Sequence, residues 1–141
     1  MDLRMDRAAL DAFVQAELPQ LRDDVSIARV APMALDLRLH VGAGHLRPGG
    51  TVSGPAMFAL ADVAFYLALL AMIGPQALAV TTNAAIDFMR KPAAGVDLRA
   101  EARILKLGRV LAVGDVLVFS DGAAAPVARA GLTYSIPPLR A

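Results

Sequence analysis

Polar and apolar positions alternate in two rhythms along this chain, and each change of rhythm marks an element. In residues 5–17 Leu10, Phe13 and Val14, with Leu18 just beyond, recur at helical spacing, while Asp6, Arg7, Asp11, Gln15 and Glu17 take the other positions. This predicts a short amphipathic helix ended by Pro19. From Leu35 the period drops to two: "LDLRLHV" sets Leu35, Leu37, Leu39 and Val41 on one face and Asp36, Arg38 and His40 on the other, as in a half-buried strand. Residues 42–54, "GAGHLRPGGTVSG", keep neither rhythm, and their five glycines and one proline read as a loop. It delivers the chain to Gly54-Pro55, where proline suits a first helical turn because its missing N–H would have been unpaired anyway.

The helix that follows is apolar on nearly every side, the pattern of a helix covered all round. Beyond it, "LAVTTNAAIDF" sets Val80, Thr82, Ala84, Ile86 and Phe88 against Thr81, Asn83, Ala85 and Asp87. Three more strand-like runs follow, "DLRAEARILKL", "RVLAVGDVLVF" and "PVARAGLTYSI", punctuated by Gly108 and the Asp121-Gly122 turn signal. Four strands in succession on short connections predict an antiparallel meander. Helix, one or two strands, long helix and four strands together make an α+β layout, one large helix against a curled sheet. Residues 1–141 are expected to form one domain, with 1–24 as a helical extension.

Composition narrows the function classes. An apolar share of 57% in 141 residues supports a real core. The net charge of +1 and the lack of tryptophan argue against nucleic acid as a partner. Cysteine is absent, which excludes disulfides and thiolate metal sites, and only His40 and His45 remain as soft ligands, so no metal is expected. The N-terminal stretch carries Asp2, Asp6, Asp11 and Glu17 without an uninterrupted apolar run; no signal peptide is read there, and the expected location is the cytoplasm. Residues 55–73 approach the length of a bilayer span, but strands that need a helix to cover them follow, and a central acid would cost roughly 2.5–3.5 kcal/mol on insertion. A membrane is therefore not expected.

That acid is Asp62, the one charged residue between Pro48 and Ile86. Burying a carboxylate without a partner costs several kcal/mol, so Asp62 either has a structural partner, such as a backbone segment or Arg47, or serves as a general base or nucleophile in a cleft. The glycine-rich entry supplies a second component, since unpaired amides at a helix N-terminus suit an anion or oxyanion. Gly54 is the natural donor; Pro55 has no N–H, so a further donor would be a side chain such as Ser53. Arg90, Lys91, Lys106 and Arg109 stand at strand ends, either as a solvated rim or as anchors for phosphate groups. Thr81 and Asn83 share one face of their strand by strict alternation and would hold a water, a substrate amide or backbone groups. Tyr66, one turn after Asp62, either packs in the core or bonds to it.

Taken together, the glycine loop, "GPAMFALADVAF", "AVTTNAAIDFMRKPAAG" and "AEARILKLGRVLAVGDVLVFSDGAAAPVARAGLTYSI" resemble the hot-dog fold acyl-CoA thioesterases of the phenylacetate-degradation (PaaI-like) type, over roughly residues 35–136. That resemblance implies a curved antiparallel sheet wrapped around a long central helix, with dimers or tetramers that place two sites at a subunit interface. The family pattern is an Asn, a Gly three residues on, a His-Gly-Gly three further, and an Asp nine beyond that His. Gly50, Gly54 and Asp62 match it. Arg47 stands for the Asn, Ser53 for the His and Pro55 for the last Gly, with His45 a possible substitute for the His.

The resemblance implies thioester hydrolysis to a free acid and coenzyme A. Asp62, Gly54 and Ser53 would form the catalytic set, and Arg47, Asn83, Arg90, Lys91 and Arg109 would contact substrate. Coenzyme A is then part of the substrate, and no separate cofactor is implied. Two rivals remain: an acyl-CoA or small-ligand binding protein on the same fold, and a dehydratase, disfavoured because the helix bears no His.

Overall fold

The computed structural model describes residues 2–138. Helix α1 spans Arg7–Glu17; Asp6 caps it, its carboxylate accepting the Ala9 N–H at 2.9 Å, and Leu10, Phe13 and Val14 are its buried face. The helix starts two residues later than periodicity suggests because Asp6 holds extended backbone as the cap. Arg4 and Met5 instead donate their amides to the Ala71 carbonyl oxygen, and Met5 is buried.

Helix α2 spans Gly54–Ile73. Ser53 caps it, its hydroxyl accepting the Ala56 N–H at 3.2 Å, and Gly74 ends it at φ 91°, a left-handed conformation open to glycine. Phe65, Leu67, Leu69 and Leu70 are fully enclosed. Length and a mean hydropathy of 2.2 would suit α2 to a bilayer, but the sheet wraps it and 61% of that window is buried within the protein.

The strands are β1 (Val25–Ala31), β2 (Ala34–Leu39), β3 (Val80–Phe88), β4 (Leu98–Leu107), β5 (Leu111–Ser120) and β6 (Ala128–Ser135). They form one antiparallel sheet in the order β1-β2-β4-β5-β6-β3. Strand β2 buries Leu35, Leu37 and Leu39 as its alternation predicts. The meander holds only for β4, β5 and β6. Strand β3 pairs with β6 at the far edge, because β2 already occupies the open side of β4. Residues 89–97 reach that far: nine residues extend to about 30 Å, whereas three strand spacings take about 14 Å.

At one point the sheet comes so close to α2 that a side chain has no room. A Cβ on Gly114 would lie 2.5 Å from Phe65 Cε1 and 2.2 Å from the Arg103 carbonyl oxygen, so glycine in β5 sets the depth to which Phe65 seats.

A second departure from simple alternation lies in β3. Thr81 pairs with Tyr134 and Asn83 with Thr133, leaving Thr82 as an extra residue, a β-bulge. The bulge separates the faces of Thr81 and Asn83. Thr81 turns toward α2, and Ala84 and Ile86 continue inward, while Asn83 is exposed. The expected shared face of Thr81 and Asn83 is thus broken by one inserted residue.

Candidate active site

The site forms where the first turns of α2 meet the inner faces of β3 and β6. Asp62 Oδ1 accepts two hydrogen bonds, from Thr81 Oγ1 at 2.7 Å and from Tyr134 Oη at 2.8 Å. No ion pair joins Asp62 to Arg47 among the described residues, so the carboxylate is held by neutral donors alone. Tyr134 is 3% exposed, its ring against Phe65 and Tyr66 at centroid distances of 5.5 and 5.9 Å. Burial above all pushes the Tyr134 phenol well above its ordinary value; the Thr81 hydroxyl opposes it, and the neighbouring Asp62 carboxylate adds to the rise. Tyr66 is also raised, first by burial and then by Glu17, but its hydroxyl donates to the Ala77 carbonyl oxygen at 3.0 Å and does not reach Asp62.

Asp62 opens on an apolar cavity of about 620 Å³ lined also by Gly54, Pro55, Phe58, Ala59, Ile86 and Phe88. Next to it, sharing Gly54 and Phe88, lies a second hollow of about 430 Å³ that contains Arg47, Arg90 and Lys91. Three of the residues expected to contact substrate therefore converge on one basic hollow. The Arg90 guanidinium also donates to the Pro126 carbonyl oxygen at 2.7 Å. Gly54 stands between the two hollows in the first turn of α2, where no helical carbonyl is positioned to accept its N–H. A Cβ there would approach Phe88 Cζ to 3.3 Å.

The remaining residues fall elsewhere. Ser53 spends its hydroxyl on the helix cap. Arg109 lies beyond the other end of α2, in a cavity of about 870 Å³ with Arg4, Met72 and Ile73, so one protomer does not bring it to Asp62. Asn83 faces outward. His45 accepts the Gly42 N–H on Nδ1 and turns Nε2 toward Asp24 at 3.5 Å, so its ring belongs to the loop. Tyr134 is the residue that sequence reading missed. Alternation in "ARAGLTYS" puts it inward with Ala128, Ala130 and Leu132, and a phenol among such positions needs a polar partner.

A curved antiparallel sheet around one buried helix is the hot-dog fold. The thioesterase superfamily profile matches residues 49–126, more than half of the chain, and the protein belongs to that superfamily. A crystal structure from Silicibacter sp. TM1040, of a protein proposed to be a thioesterase, is 56% identical over 98% of this chain and 96% of its own, with a TM-score of 0.91. A mutant of the phenylacetic acid degradation protein PaaI from Thermus thermophilus is 30% identical over 84% of this chain and 99% of its own, with a TM-score of 0.72. Zebrafish thioesterase superfamily member 2, at 21% identity over 97% and 99% and a TM-score of 0.80, shares the fold. No curated protein matches the chain. The family and these relatives support thioester hydrolysis as the general activity.

Proposed function

We propose that this protein hydrolyses acyl-coenzyme A thioesters to a free acid and coenzyme A. The observation that carries this reading is the sequence of surfaces around Gly54: an apolar cavity holding Asp62 on one side and a hollow with Arg47, Arg90 and Lys91 on the other. An acyl-CoA runs in the same direction, from an apolar acyl group through the thioester and its pantetheine arm to phosphates that basic side chains hold.

In the proposed reaction the thioester carbonyl oxygen accepts the Gly54 N–H. The Asp62 carboxylate takes a proton from water; the hydroxide adds to the carbonyl carbon; the C–S bond breaks as the carbonyl re-forms; and the thiolate takes the proton back from Asp62. One water is consumed, and acid and thiol leave. Asp62 lies eight residues after Gly54, roughly 12 Å along the helix, too far for both to meet one carbonyl directly. The reading therefore pairs Gly54 of one protomer with Asp62 of a second, in a homodimer or homotetramer. Strand β3, at the edge of the sheet with Val80 and Phe88 exposed, offers an unpaired row of backbone groups to such a copy. A cytoplasmic location, and activity without metal or other cofactor, belong to the same proposal.

Thiol release from short, medium and aryl acyl-CoAs tests the reading, and a chain without cysteine adds no thiol background. The expected result is steady release by the wild type that Asp62→Asn slows about 10³-fold. Equal, slow release by both proteins with acyl-CoA still bound would favour a binding protein on this fold.

A further inference from the structure

The two oxygens of Asp62 are treated differently by the fold. Oδ1 accepts both Thr81 and Tyr134, while Oδ2 accepts no hydrogen bond among the described residues. The Tyr134 hydroxyl also lies 3.2 Å from the Asp62 backbone carbonyl oxygen, so it contacts both the side chain and the helix that carries it. We propose that Tyr134 is a positioning residue, whose phenol anchors Oδ1 together with Thr81 and thereby assigns proton transfer to Oδ2. The inference rests on the acyl-CoA hydrolase reading of the same site.

Three observations support it. First, the anchor is rigid: the Tyr134 ring is buried between Phe65 and Tyr66, and β6 is paired on both sides, with β5 and β3. Second, both donors are neutral, so they hold the carboxylate without quenching its charge as an arginine would. Third, the phenol stays protonated through the working pH range, since burial first and the adjacent carboxylate second raise it, and it therefore remains a donor. Thr81 alone would leave the carboxylate free to pivot about one hydrogen bond. Two donors from different strands fix its plane.

Tyr66 provides an internal control. It stacks on Tyr134 and is a similar phenol, but its hydroxyl serves the Ala77 carbonyl. The experiment compares Tyr134→Phe, Tyr66→Phe, Asp62→Asn and wild type in the thiol-release assay, with kcat and KM determined separately and each melting transition recorded. Tyr134→Phe is expected to lower kcat about 10-fold or more, as loss of a hydrogen bond to a charged group implies, with KM unchanged within about twofold and the cooperative melt retained. Tyr66→Phe is expected to match wild type.

The outcomes separate. Wild type and Tyr134→Phe of equal kcat, with Asp62→Asn inactive, overturn the positioning role and leave the hydrolase reading standing. A Tyr134→Phe protein that loses its melting transition, or raises KM as much as it lowers kcat, marks the hydroxyl as structural and also overturns it. A wild type without turnover on any acyl-CoA removes the hydrolase reading, and the inference with it.

Discussion

Two carboxylates, Asp62 and Asp97, sit in the same sheet-and-helix sandwich under opposite regimes. Asp97, just before β4, accepts the Val41 N–H at 3.0 Å on one oxygen and the Arg38 guanidinium at 3.0 Å on the other, with His40 3.5 Å away. Arg38 continues to Asp121 at 2.7 Å, so this corner ties the end of β2 to the start of β4 and the end of β5. The Val41 amide first, and Arg38 as well, hold the Asp97 carboxyl below its usual range, against a contribution from burial that raises it. Asp62 has two neutral hydroxyls on one oxygen and a cavity before it. An acid whose lone pairs are met by cations and backbone is committed to architecture. One held on a single oxygen by neutral donors leaves its second oxygen without a hydrogen-bond partner among the described residues, as the proposed general base requires.

Removing the charge from each acid in turn tests that contrast most strongly. Asp62→Asn is expected to lower kcat about 10³-fold, the scale of a lost general base, while leaving the melt nearly unchanged. Asp97→Asn should leave kcat alone; a comparable loss there would break the distinction. Substrate affinity comes next in size. Replacing Arg90 and Lys91 together by alanine is expected to raise KM roughly 10-fold at low ionic strength and less in high salt, because exposed charge interactions are screened within about a Debye length.

Stability effects are smaller. Asp97→Asn is expected to cost about 1–2 kcal/mol at pH 7, a loss of one charged hydrogen-bond acceptor, read as a lowered urea midpoint. The folded value of Asp97 lies below its unfolded value of 3.8, so its contribution is present above about pH 4 and is lost as pH falls through the lower folded value. Wild type and Asp97→Asn should therefore converge in acid. Tyr134 titrates in the opposite sense. Its folded value lies above 10.0, so above that pH the unfolded chain gives up a proton that the folded chain keeps, and stability falls by up to about 1.4 kcal/mol per pH unit. Tyr134→Phe should show a shallower alkaline loss.

What the sequence made legible were the features fixed by local periodicity: α1, α2, the buried face of β2, and the lone acid beside a glycine entry. The position of β3 was not legible, because strands compete for sheet edges and β2 had taken the one that a simple meander would use. Nor does counting alternate residues detect Thr82, whose bulge turns Thr81 inward. Tyr134 lies 72 residues from Asp62, so the alternation of β6 gives its face but not its partner. Arg109 stands between β4 and β5, and which end of α2 that turn reaches depends on how the two strands run along the helix.

The uniformly apolar α2 also has a consequence in time. On a ribosome, Ile73 is complete 62 residues before Ser135, the last residue of the strand that seats Tyr134 against the helix. At roughly 5–20 residues per second, α2 waits about 3–12 s for its cover. During those seconds Asp62 is the one charge along the segment, and at roughly 2.5–3.5 kcal/mol near a bilayer centre it biases the nascent helix away from lipid. Until the sheet is complete, the same side chain thus weighs against lipid as an alternative cover for α2.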